Sequence, residues 1–283
     1  MYPDVLIRRA REVLEGIVDD AAHAAAGLAD TTARILHPLT GAPADGTPAL
    51  DTDAHAPAGE RRAPSPVQTT QPTLGAGQRQ ALQHAIRHCL DHTPNCNGAG
   101  FASHVPSREG PGYWTLEWWF KDGQSIHPSQ LEHNQETRQR LDFRTFGWFE
   151  QPARHHRPCV EGPYVDYICN GDYTITAAHP VMVDGHFAGV AAVDVLVSTL
   201  ERLLLPVLVA LRTPSLVVNR AGRVVISTTP RVRTGALWPA ARTPGVATHA
   251  LRLIFPHTVP GQDDPGPGRF SPLSNHPHQE LQP

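Results

Sequence analysis

Helices first, then a run of short antiparallel strands: this order predicts an α+β domain with its helices laid on one side of a sheet. Three observations carry the prediction. Apolar residues recur at three- and four-residue steps through residues 5–36, alternating stretches separated by turn-formers follow from Gly98 onward, and "DG" at 184–185 joins two alternating runs. The last is the signal of a tight two-residue hairpin.

The first helix is predicted over residues 5–36, where Leu14, Ile17, Val18, Ala21, Ala24, Ala25, Leu28 and Ile35 form one stripe and Pro38 ends it. Residues 38–75, rich in Pro, Ala, Thr, Gly and Asp and lacking apolar periodicity, read as a disordered insertion. A second helix is expected from about 78 to 91. "GAGFASHV" and "GYWTLEWWFKDG" follow as strands, and "FRTFGWFEQPARHH" as helix or tight turn shortened by Pro152. Next come the strands of "VEGPYVDYICNGDYTITAAHPVMVDGHFAGVAAVDVLV", residues 160–197. Ser198 and Glu201 have the spacing of a capping box, so a helix should begin there. "SLVVNRAGRVVIST" reads as a final hairpin about "NRAG". Turn-formers multiply beyond Pro230, and the chain from Pro256 onward is expected to be disordered. The organisation is thus a helix (1–37), an insertion (38–75), the main domain (76–235) and a mostly disordered tail (236–283).

The 283 residues carry a net charge of −3 and no dense Lys/Arg run, which argues against nucleic acid or an acidic membrane as partner. The longest apolar run, Leu203–Leu211, contains Pro206 and falls far short of the ~20 residues that span a bilayer. Arg8, Arg9, Arg11 and Glu12 occupy the region where a signal peptide would be apolar. The expectation is a soluble cytoplasmic protein with its four cysteines (89, 96, 159 and 169) reduced.

Asp194 is the anomaly, a carboxylate among Val190, Ala191, Ala192, Val193 and Val195. With a two-residue loop at 184–185, Val183 faces His186 and Asp194 lies opposite Ile175. It then shares a face with Ala192, Val190, Ala177, His179 and Tyr173, where the alanines leave a hollow. A bulge in either strand would flip this parity. Asp194 either caps the next helix or ends the strand in water, or it is buried and needs a positive partner. Segment 160–197 has no lysine and no arginine, and the first basic residue beyond it is Arg202, so a bound cation is the natural source.

In that order, "LDFRTFGWFEQPAR", the 160–204 stretch and "LVVNRAGRVVIST" resemble the Cache family of sensor domains, most nearly its chemoreceptor-like periplasmic-sensor subtype. "GAGF" and "LEWWF" resemble stand-alone actinobacterial members. The likeness covers roughly residues 95–235. It implies a long N-terminal helix packed on a five- to six-stranded antiparallel sheet in a PAS-like fold. It also implies a small-molecule pocket between that sheet and "FGWF". Family members that bind amines and amino acids hold the ligand's ammonium with a Trp-Tyr pair, a later Tyr and an Asp. Here Trp148 and Phe149 stand at the pair, Tyr164 at the later Tyr and Asp194 at the Asp, with Asp166 and Tyr173 near the rim. Aromatic faces and one carboxylate make a cation trap. The arginine that holds a ligand carboxylate is replaced by Phe146, with Arg144 two positions earlier. An amine is therefore favoured over an α-amino acid, although Phe149 lacks the tyrosine hydroxyl.

The resemblance implies a non-enzymatic sensor without cofactor. Its output would run in trans through a transcription regulator or a second copy, with a homodimer forming through the first helix. The alternatives are an enzyme using a His179–Asp194 acid–base pair and a degenerate Cache protein serving only for dimerisation. His84, His88 and His92 share a helix face and, with Cys89 or Cys96, have the spacing of a metal site, but an exposed polar face is the simpler reading. His155, His156 and Cys159 read as a polar rim rather than a nucleophile and base. Trp114 and Trp118 fall on one face of their strand and Trp119 on the other, as core packing with one ring in reach of the pocket. Tyr167 is left open between core and site.

Overall fold

The computed structural model describes residues 3–37, 74–105, 113–129, 142–167, 171–238 and 250–255. The insertion at 38–73 and most of the predicted tail lie outside the described residues.

Helix α1 (Pro3–Leu36) buries Ala10, Leu14, Ile17, Ala21, Ala25 and Leu28, the three- and four-step stripe of the sequence. At 1.5 Å per residue it is about 50 Å long, enough to cross the whole sheet. Its alanines bring the helix backbone close to β5 and β6, and buried Thr32 satisfies its hydroxyl on the Leu28 carbonyl at 2.7 Å. Helix α2 (Ala76–His92) buries Leu82, Ile86 and Leu90. Gln78 caps its start by accepting from the Gly75 N–H at 3.1 Å, and donates to the Ile35 carbonyl at 3.0 Å, which ties α2 to the end of α1.

The strands are β1 (Gly98–Val105), β2 (Tyr113–Asp122), β3 (Ser125–Pro128), β4 (Cys159–Val165), β5 (Tyr173–Val183) and β6 (His186–Leu196), in spatial order β3-β2-β1-β6-β5-β4 and antiparallel throughout. Between β3 and β4 a 3₁₀ turn (Phe143–Thr145) leads into α3 (Gly147–His155), which lies on the face opposite α1. Pro152 sits inside α3 without ending it; the stop is His156 in the left-handed conformation (φ 52°). Helix α4 (Val197–Ala210) follows β6 directly. It starts at Val197 with Leu196 in the cap position, so the capping box expected at Ser198 and Glu201 does not form.

A second, smaller sheet has the order β8-β7-β9, from β7 (Leu216–Asn219), β8 (Val224–Ser227) and β9 (Leu251–Ile254). The hairpin about "NRAG" is as predicted. Strand β9 was not foreseen: residues 251–254, within the tail expected to be mostly disordered but before Pro256, pair along β7 from Leu216↔Ile254 to Asn219↔Leu251. "LRLI" is too short to display a period, and only β7's open edge makes it a strand.

Two bulges decide which side chains share a face. Asp184 and Gly185 both have positive φ (50° and 78°), and Val183 faces His186 as predicted. The register then slips between Val181 and Met182, so that Val181 faces Gly189 and Asp194 faces Thr176 rather than Ile175. In β4 the register shifts between Glu161 and Tyr164. Gly162 absorbs that shift with φ 122°, and a Cβ there would stand 2.6 Å from the Thr174 carbonyl oxygen.

The second glycine requirement is one of space. A Cβ on Gly100 would stand 2.4 Å from both the Glu117 carbonyl oxygen and the Trp118 ring, whereas one on Gly16 in α1 meets nothing within 4 Å. Gly100→Ala should therefore destabilise by about 2–3 kcal/mol, since the backbone of β2 must move. Gly16→Ala should be neutral or stabilising by up to about 1 kcal/mol. Urea unfolding of both variants checks the pair.

Candidate functional site

Register places Asp194 on β6 beside Gly98 on β1 and Thr176 on β5, with Gly100, Ala192 and Ala178 forming the next row. The row of small residues makes a shallow floor on the side of the sheet away from α1. Trp118, on the same face of β2, and the rings of the "FGWF" segment close over it. Trp118 and Trp148 stand 5.7 Å apart between ring centroids, Trp148 and Phe146 6.5 Å, and Phe146 stacks on Tyr164 at 6.1 Å. The bulge in β4 puts Tyr164 on this face. Its hydroxyl meets the Thr176 hydroxyl at 2.5 Å, and Thr176 donates to Asp194 Oδ1, also at 2.5 Å.

Asp194 is only 3% exposed. Among the described residues its carboxylate accepts one hydrogen bond, from Thr176, and no Lys, Arg or His side chain bonds to it. Burial pushes its carboxyl up from the ordinary 3.8 to about 8. The negative charge of Asp166 adds to the rise and the Thr176 hydrogen bond opposes it. The other face of the sheet supplies a contrast. Glu117 on β2 is also buried, but Arg79 (3.2 Å), Gln83 (3.0 Å) and the Trp119 indole (3.2 Å) all donate to it. One buried carboxylate is neutralised from within the fold and the other is not.

Of the sequence-predicted residues, Trp148, Tyr164 and Asp194 come together on one face. Asp166 is buried and close enough to act on Asp194 electrostatically, so it is an inner residue rather than a rim residue. Phe149 belongs to the same aromatic cluster, packed edge-on against Phe143 (4.9 Å) and Phe187 (6.2 Å). Two assignments are corrected by the bulge in the β5–β6 pair. His179 faces Ala191, on the α1 side, and bonds only the neighbouring Pro180 carbonyl at 3.0 Å. No His179–Asp194 pair therefore forms. Tyr173 also packs on the α1 side, with its hydroxyl against Gly235. Arg144 is a third correction. Its guanidinium grips both oxygens of Asp142 at 2.6 Å and contacts His104 at 2.9 Å, which holds the Asp142 carboxyl below its usual range. It is thus already engaged and does not stand in for the missing carboxylate-binding arginine.

Gly98, Phe146 and Thr176, which sequence reasoning missed, complete the floor and wall. Gly98 was read only as a strand opener, and Phe146 only as the absence of an arginine. The alternation of "GAG" with "EWW" carried the signal, because Gly98 and Gly100 pair with the aromatic face of β2.

The other motifs resolve simply. His84, His88 and His92 are exposed on α2, the last two stacked at 4.0 Å, and among the described residues no three His, Cys, Asp or Glu form a metal-binding group. Burial raises the thiols of Cys96 and Cys159 to about 12, so neither is a nucleophile near neutral pH. Trp119 packs on the α1 side under Arg87, and Tyr167 is exposed. Among the described residues no helix is long and apolar enough to cross a membrane.

No family model matches the chain, and no curated protein matches it in sequence. Solved structures do. A methyl-accepting chemotaxis protein X is similar over 81% of this chain and 74% of its own, with 14% identity and a TM-score of 0.52. The sensory domain of the Campylobacter jejuni chemoreceptor Tlp3 is similar over 84% and 74%, with 12% identity and a TM-score of 0.49. The ligand-binding domain of the same receptor in complex with L-valine is similar over 81% and 70%, with 13% identity and a TM-score of 0.48. A long helix packed on a six-stranded antiparallel sheet, an aromatic helical segment on the other face and the likeness to the methyl-accepting chemotaxis protein together make this an α+β, Cache-like fold.

Proposed function

We propose that this chain is a non-enzymatic sensory module that captures a small cationic amine between the sheet and the "FGWF" segment. The observation that carries the reading is the buried Asp194 carboxylate without a cation, walled by Trp118, Trp148, Phe146 and Tyr164. An incoming ammonium supplies the missing charge, and the ring faces add cation–π attraction where water is excluded. The likeness to a chemotaxis receptor supports sensing at the level of the fold. The signal passes to a partner in trans, a transcription regulator or a second copy docked through α1. Ligand binding favours one seating of that helix on β5 and β6.

Two outcomes test this reading. In thermal-shift titrations against panels of amines, amino acids and purines, only amines should raise Tm. An excess of about 100 times Kd adds about 3 kcal/mol, a rise of several degrees. Asp194→Asn should abolish that rise, and an equal rise in the variant sinks the assignment.

The second outcome is a pH dependence. With its carboxyl raised to about 8 in the unliganded fold, Asp194 keeps a proton that the unfolded chain has released above pH ~4. Wild-type stability should therefore fall as pH rises from about 4 to 8 and level off above. Asp194→Asn removes this dependence, so its stability relative to wild type should improve by a few kcal/mol across that interval, read by urea unfolding. Amine affinity should rise from pH 6 to 8, with proton release visible by calorimetry in buffers of different ionisation enthalpy.

A further inference from the structure

Trp118 is 6% exposed, and its indole nitrogen is buried with no hydrogen-bond partner among the described residues. Leaving a buried donor unpaired is costly, and the adjacent Trp119 shows the ordinary solution by donating to Glu117 at 3.2 Å. Trp238 also has an unpaired indole nitrogen, but it sits among Leu216, Val218 and Val224 with no carboxylate in its cluster. Trp118 is different. A Cβ on Gly98 would stand 3.1 Å from its Nε1 and 3.0 Å from Asp194 Oδ2. An unpaired donor and a carboxylate oxygen thus converge on one point beside Gly98, where a side chain would crowd both.

This arrangement selects for chemistry beyond charge. An ammonium has no lone pair, so a simple alkyl amine satisfies Asp194 and leaves the indole unpaired. A ligand carboxylate would accept from the indole, but one neutral donor does not offset the desolvation of an anion, and Arg144 is held by Asp142 and His104. An uncharged oxygen fits. It must lie near the nitrogen, because both protein atoms lie close to the same point beside Gly98. We infer that the ligand is a cationic amine with an uncharged oxygen acceptor two carbons from its nitrogen, a 1,2-amino alcohol or α-amino amide, and that the Trp118 N–H reads that oxygen. This deepens the amine reading of the same site and rests on it.

Two probes of equal size and charge isolate the oxygen: 2-aminoethanol and n-propylamine, titrated calorimetrically into the full chain. The wild-type protein should prefer 2-aminoethanol roughly tenfold, the worth of one hydrogen bond to a buried donor. Trp118→Phe should erase the preference, read as the ratio of the two affinities so that any loss common to both amines from the smaller ring cancels. The wild-type indole ¹H–¹⁵N resonance of Trp118 should move downfield with 2-aminoethanol and less with propylamine, a readout that needs no folded variant. Equal wild-type affinities, or a preference that survives in a folded Trp118→Phe protein, overturn the inference. If propylamine binds through Asp194 but 2-aminoethanol gains nothing, only the acceptor claim falls. If neither probe binds, the amine reading fails and takes this inference with it.

Discussion

An ionised carboxylate buried in an apolar sheet needs a counter-charge, and Asp194 receives none from the described residues. What it receives instead is one hydroxyl hydrogen bond, a second carboxylate nearby and a wall of rings. Glu117 shows that this chain neutralises a buried acid where structure alone is at stake, with Arg79 and Gln83 both reaching it from α2. The two acids lie on opposite faces of one sheet. The helical face is closed by ion pairing and packing; the aromatic face keeps a carboxyl with no basic partner among the described residues.

The rest of the architecture can be ordered around that difference. Helix α1 seals the rear of the sheet with small side chains, so β5 and β6 are buried on both sides and hold their register firmly. Gly98 and Gly100 thin the floor of β1, which admits the Trp118 ring over the sheet and lets Asp194 lie close against β1. The "FGWF" segment supplies Phe146 and Trp148 as a lid on that floor. Tyr164 reaches the site because a bulge at Gly162 turns it inward, and its hydroxyl then fixes Thr176 against the carboxylate. Each of these residues either orients the acid or keeps water from it.

In the proposed reading the recognition chemistry is accordingly divided, with charge falling to Asp194 and the aromatic faces and polarity to the unpaired indole of Trp118. Arg144, which the "LDFRTF" motif offered as a carboxylate clamp, is spent on Asp142 and on holding the 3₁₀ turn that precedes the lid. That use of the arginine removes from the candidate site the positive charge that the carboxylate of an α-amino acid would require.

Much of the fold was legible in the chain. The stripe in residues 5–36 specified α1, "DG" at 184–185 specified the hairpin, and the motif order pointed to the Cache-like arrangement, because helical period and turn chemistry are local properties. Three of the site residues, Trp148, Tyr164 and Asp194, were legible through the family resemblance. What the chain could not disclose was parity. Strand side chains alternate, so one extra residue at Ala188 moved His179 and Tyr173 to the helical face and set Thr176 beside Asp194, and one at Gly162 turned Tyr164 inward. The pairing of β9 with β7, the capture of Arg144 by Asp142 and the approach of Gly98, Trp118 and Asp194 are likewise meetings of residues distant in sequence or set by side-chain geometry. Local pattern determined the elements; the bulges and the packing of one face on another decided which side chains share the candidate site.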